Sequence, residues 1–193
     1  MSERIEIQGP ELLLRVARGP VARVEVYRGD FSFRGLDGAE LSDVRIYDSS
    51  FRGCSLRGLR ADEVVFESCG FEGAVLEDAS LLDCRFNGSV VRDASLICAK
   101  ASFCHFIEAD IEGADFSGAE AIDCLFIGST LVGASFVGAQ CRLSSFRGCD
   151  LRNVDFTNAN LERVNFLGAQ LEGVIWANAV LEGAKFDGPP PRS

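Results

Sequence analysis

From Val26 to Phe186 an apolar or small residue occupies every fifth position without one insertion or deletion, giving 33 pentapeptides in a single frame. A period of five matches neither the 3.6 of a helix nor the 2.0 of a strand. Short fixed periods belong to solenoids, whose units bury their inner faces only by stacking on one another. The length of the chain therefore sets the length of a rod and does not set the volume of a globule.

A second lattice lies two residues before each centre and reads Val44, Ser49, Cys54, Val64, Cys69, Ala74, Ala79 and onward to Ala184. Almost everything there is Ala, Cys, Ser or Val; Gly29, Arg34 and Leu59 depart from the pattern. Residues two apart in an extended segment lie on the same side of the backbone, so both lattices point inward. The position two after the centre is often Gly, as at Gly53, Gly73, Gly113 and Gly133, and otherwise often Asn or Asp. Those residues accept positive φ. Each pentapeptide thus reads as a short extended piece followed by a corner.

Units such as ADFSG at 114–118, CDLRN at 149–153, VDFTN at 154–158 and ANLER at 159–163 resemble the pentapeptide-repeat family, over about nine-tenths of the chain. The resemblance implies an all-β fold, a right-handed quadrilateral parallel β-helix with four pentapeptides to a coil. A period of twenty is visible in the residues themselves. Centres spaced by twenty from Val26 become Phe66, Phe86, Phe106, Phe126, Phe146, Phe166 and Phe186. The series Leu41, Ala61, Leu81, Ala101, Ala121, Cys141, Leu161, Leu181 is a column of smaller residues. A four-sided coil sorts large from small in this way. The count of units predicts about eight coils, a rod roughly 40 Å long at the usual inter-strand spacing.

The chain divides into three segments: an N-terminal cap over residues 1–25, with a strand suggested by the alternation of Ile5 and Ile7, the pentapeptide β-helix over 26–188, and a flexible Pro-rich tail over 189–193. Seven of the eight cysteines, Cys54, Cys69, Cys84, Cys104, Cys124, Cys141 and Cys149, fall on inward positions and are expected to pack as small hydrophobes. Cys98 is expected outside. No CxxC or second ligand type points to a metal, and reduced thiols suit a cytoplasmic protein. Charged residues such as Arg4, Glu6, Glu11 and Arg15 break any signal-peptide or membrane-spanning run. The only histidine, His105, precedes a core Phe and should project outward, with no nucleophile, phosphate loop or metal motif beside it. No enzyme activity, catalytic residue, cofactor or metal is expected.

The outer surface remains. With 29 acidic and 19 basic residues the chain carries a net charge of −10, the wrong sign for direct nucleic-acid binding. Acids concentrate on the side centred on Leu41, Ala61, Leu81, Ala101 and Ala121, as Glu40, Asp43, Asp62, Glu63, Asp83, Glu120 and Asp123, opposed there by Arg60 and Lys100. Some members of the resembled family are DNA mimics that bind type II topoisomerases, DNA gyrase or topoisomerase IV, and protect them from quinolones or from a producer's own gyrase poison. Resemblance to those members, most closely to the loop-free mycobacterial type, implies that role, with the acids as the partner surface. It also implies an end-to-end homodimer through the last coil, with Trp176, Leu181 and Phe186 at the exposed core end. A competing reading is a protein-interaction scaffold with no topoisomerase role. It would dock through an outward apolar patch of Phe103, Ile107, Ile122, Leu125, Ile127 and Leu143.

Overall fold

The computed structural model describes residues 4–191. Met1 to Glu3 of the expected cap, and Arg192 and Ser193 of the expected tail, lie outside the described residues. The chain adopts the fold that a five-residue beat dictates, a right-handed quadrilateral parallel β-helix. Residues pair with those twenty positions on. Glu25 pairs with Arg45, Arg45 with Val65, and the same rung continues through Arg85, His105, Leu125, Ser145, Asn165 and Lys185. Every pairing is parallel, and eight such steps build the rod, in line with the unit count.

Each pentapeptide satisfies its backbone through its neighbours in the ladder. The Phe66 N–H donates to the Arg85 carbonyl (2.7 Å), the Ser68 N–H to Asn87 (3.1 Å), and the Arg85 N–H to Val64 (2.9 Å). Corner residues take the left-handed conformation, with φ between 48° and 68° from Asp43 through Leu143, whether or not they are glycine. Where Asp precedes the centre, its carboxylate accepts the N–H two residues on, as from Ser117 to Asp115 and from Thr157 to Asp155 (2.8 Å each), which tightens the corner.

Two sides of the lower coils are extended enough to form named strands. One sheet runs β1 (Ile5–Ile7), β3 (Val24–Tyr27), β5 (Arg45–Tyr47) and β7 (Val65–Glu67). The other runs β2 (Val21–Ala22), β4 (Glu40–Ser42), β6 (Arg60–Asp62), β8 (Ser80–Leu82) and β9 (Lys100–Ser102). Higher up, each side of a coil is held by a single bridge. The ladder begins one unit below Val26, because Val21 pairs with Leu41 and is buried.

Before it, β1 pairs with β3, as the Ile5 and Ile7 alternation suggested, but an eight-residue helix α1 (Gly9–Val16) comes next and was not expected. Pro10 sits in its first turn, where no N–H is needed, and Arg15 pairs with Glu11 one turn back at 2.5 Å. A helix this short does not persist alone in water; Leu12, fully buried against the first coil, holds it in place. Gly29 belongs to the same junction. A Cβ there would lie 2.6 Å from the Phe31 ring, so the departure from the small-residue lattice is a steric requirement. Leu59 is buried beside the small Ala61, whereas Arg34 turns out into solvent.

The core is a set of aromatic stacks. Phe66, Phe86, Phe106, Phe126, Phe146, Phe166 and Phe186 lie one above another, with neighbouring centroids 4.7–5.6 Å apart and planes within 19° of parallel. Phe116 and Phe136 form a second stack and meet the first edge-on. Each buried ring contributes roughly 1.5–3 kcal/mol. Buried serines repair the ladder where the corner N–H has no carbonyl below it. Ser89 accepts the Cys69 N–H at 2.9 Å and donates to the Phe66 carbonyl at 3.0 Å, and Ser144 does the same for Cys124 and Ala121.

Cysteines play a similar space-filling part. Cys54, Cys69, Cys141 and Cys149 are buried, and burial pushes each thiol up to about 12. Cys98 alone is exposed. A thiol reagent at pH 8 is therefore expected to label one cysteine in the native protein, at Cys98, and all eight after unfolding in guanidinium. Peptide mapping that found two or more native labels would contradict the inward assignment.

Candidate functional site

The seven acids expected on one side do share a flank, but the structure divides them by the charges around them. Glu40 pairs with Arg60 one coil above at 2.6 Å, and Asp43 pairs with Arg4, brought from 39 residues away by β1. These two are neutralised. Among the described residues no cation lies within ion-pair distance of Asp62, Glu63, Asp83, Glu120 or Asp123. On the other flanks some cations are paired locally. Arg57 pairs with Glu77, Arg92 with Asp110 at 2.7 Å, and Arg152 with Asp150 at 2.7 Å. Such exposed pairs add little stability, and acids on those sides such as Glu72, Asp78, Asp93 and Glu108 also have no ion-pair partner among the described residues, so the free flank is one part of a wider negative surface.

Four of the free acids converge. Asp62, Glu63, Asp83 and Asp123 line an open groove of about 510 Å³ together with Leu82, Phe103, His105 and Leu125. It runs along the corner between the column of small centres and the phenylalanine stack. Glu120 lies outside it. A second groove, about 370 Å³, adjoins below, between Val21, Leu41, Ala61 and Leu82, with Glu40, Arg60 and Asp62 on its rim. Leu82 lines both grooves and is 46% exposed. It escaped the sequence reading, although its position, one after a centre and one coil above Asp62, was available. His105 does face outward, on the groove wall.

The expected apolar patch is less exposed than its spacing implied. Ile107, Ile122, Leu125 and Ile127 are half-buried. Only Phe103 and Leu143 stand out in solvent, each 50% exposed, and both occupy corner positions at positive φ. Phe103 and Leu125 join the acidic groove, so two features read as rivals in the sequence are parts of one surface here.

The two rod ends differ. The N-terminal end is covered by α1, with Ile7 and Leu12 buried. At the other end Leu171, Leu181 and Phe186 are only partly buried, and a hollow of about 330 Å³ opens between Phe166, Leu171, Trp176, Phe186, Pro189 and Pro191. Among the described residues no helix is long and apolar enough to cross a membrane. Nor do any three of the described His, Cys, Asp and Glu side chains meet in a metal-binding cluster.

A search among curated proteins finds no match. The fold is similar to that of a trypsin-treated variant of QnrB1, a plasmid-mediated fluoroquinolone resistance protein, with a TM-score of 0.70 at 18% identity, covering 96% of this chain and 91% of that one. A similarity at TM-score 0.38 and 24% identity, over 95% of this chain and 99% of the other, is found to HetL. That is a pentapeptide repeat protein involved in heterocyst differentiation regulation from the cyanobacterium Nostoc sp. strain PCC 7120. In sequence, residues 84–120 match the model for pentapeptide repeats (8 copies), and residues 119–188 match that for the pentapeptide repeat region. With the twenty-residue register, the stacked centres and these matches in agreement, the chain belongs to the pentapeptide-repeat family.

Proposed function

We propose that this rod is a non-enzymatic binding protein that docks on a type II topoisomerase, DNA gyrase or topoisomerase IV, in the place of a DNA duplex. It would thereby protect the enzyme from quinolone-like or self-made poisons. The observation that carries the reading is the set of free carboxylates, Asp62, Glu63, Asp83, Glu120 and Asp123, along one flank of a narrow rod. A protein surface that grips DNA is basic and elongated, and such a flank complements it. The likeness in fold to a fluoroquinolone resistance protein supports the reading.

Magnitude narrows it. Duplex DNA carries one charge per about 1.7 Å, so a rod of this length would need roughly two dozen to match it, against a net −10 here. The imitation is therefore confined to one flank and relies on the arrangement of its acids. The test is gyrase supercoiling and drug-induced cleavage titrated with the purified protein, with and without a poison. Restored supercoiling in the presence of the poison is expected. Indifference of both assays at micromolar protein would overturn the proposal. The competing scaffold reading, through Phe103 and Leu143, is favoured by that indifference.

The open C-terminal end completes the proposal. Two rods joined by their last coils would cover Leu181 and Phe186, which are partly buried in the single chain whereas Trp176 beneath them is already buried, and double the length of the acidic flank. Sedimentation equilibrium is expected to give twice the chain mass, falling to the monomer mass in Leu181→Asp. A wild-type mass that stays monomeric at high concentration would remove the dimer.

A further inference from the structure

The outermost column of the acidic flank reads Asp43, Glu63, Asp83, Phe103, Asp123, Leu143, one coil apart, and all six residues sit at positive φ. Asp accepts that conformation readily. For a phenylalanine that conformation is unfavourable, and Phe103 adopts it while standing among the acids. The backbone N–H of Phe103 donates to the Ile122 carbonyl at 3.0 Å, a bond the corner residues make from Arg23 through Arg163 regardless of side chain. Phe103 is half exposed. Free carboxylates stand one rung below it, at Asp83, and one rung above, at Asp123. Leu82 and Leu125 give the same groove an apolar lining.

The geometry points to an arginine subsite. A guanidinium from a protein partner lies flat on the Phe103 ring, and its edge N–H groups donate to Asp83 and Asp123, while the methylene stem covers Leu82 or Leu125. An aromatic face between two carboxylates suits the planar, weakly hydrated guanidinium, which stacks and donates in its own plane. A lysine ammonium, compact and strongly hydrated, satisfies the acids but gains less from the ring. For the identity of the partner the subsite rests on the topoisomerase reading; its residue chemistry does not.

Two synthetic peptides of equal length and charge provide the probe, one carrying four arginines and the other four lysines in a Gly/Ser background. Each is titrated into the full chain by calorimetry at low salt. The arginine peptide is expected to bind roughly three- to tenfold more tightly. Phe103→Asn should equalise the two, and Asp83→Asn with Asp123→Asn should weaken both. Asn tolerates positive φ, so Phe103→Asn should melt no lower than the wild type, which separates lost preference from lost folding. Equal affinities in the wild type, or a preference that survives Phe103→Asn, would overturn the subsite. If the preference holds while gyrase ignores the protein, the subsite stands and the topoisomerase reading falls. If gyrase is protected but the peptides are not distinguished, the reverse is true.

Discussion

Phe126→Ala is expected to lower the unfolding free energy by about 3–5 kcal/mol, the largest loss expected from a single truncation in this rod. The ring is fully buried and lies between Phe106 at 5.0 Å and Phe146 at 4.7 Å, both nearly parallel to it. The edges of Phe116 and Phe136 close its sides at 5.9 and 5.8 Å. Removal leaves a cavity that the coil cannot collapse to fill, because ladder bonds fix the backbone on both sides. The Phe126 N–H donates to Ser145 at 2.8 Å, and its carbonyl accepts the Cys149 thiol at 2.7 Å. A solenoid loses coupling between neighbouring coils when one interface weakens, so the urea transition should broaden as well as shift. Phe33→Ala provides the contrast. That ring is 76% exposed, and a change of less than about 0.5 kcal/mol is expected there. Equal effects at the two positions would mean that the inward column has been misassigned.

Neutralising the groove acids is expected to have the largest functional effect. The variant Asp62→Asn, Glu63→Gln, Asp83→Asn, Asp123→Asn removes four charges that have no ion-pair partner among the described residues, without changing side-chain volume. Asn also suits the positive φ at Asp83 and Asp123, so the far-ultraviolet spectrum and the melting temperature should be retained. Protection of gyrase should fall by about tenfold or more, through a slower association step that is steep in salt. Glu72→Gln with Glu172→Gln, on a different flank, is the control and should leave protection intact. Loss of protection in the control as well would mean that overall charge matters and the flank does not.

Much of this molecule was legible before any coordinates, for a reason specific to its construction. Whether Phe66 or Ala61 points inward depends on geometry within five residues, and the register of twenty repeats that decision coil after coil. The phenylalanine stack, the column of small centres, the seven buried cysteines and exposed Cys98 all follow from that local rule. The helix over Gly9–Val16 did not, because it is too short to carry a period of its own and is held by the burial of Leu12, with Leu13 and Val16 packed beside it.

The candidate site divides in the same way. That Asp62, Glu63, Asp83 and Asp123 share a flank is a matter of counting by twenty. That Asp43 is neutralised by Arg4 is not, since the pairing depends on where β1 lays the N-terminal segment. The half-burial of Ile107 and Ile127, and the meeting of Phe103 with the acids in one groove, likewise depend on side chains from different coils. By itself, then, the sequence determined which face of each residue looks inward, because that choice is made by the backbone within a single turn of the coil. Which charges remain free, and which surface residues meet, was decided only by the tertiary structure, because long exposed side chains take their partners from whatever the stacking of distant segments brings within reach.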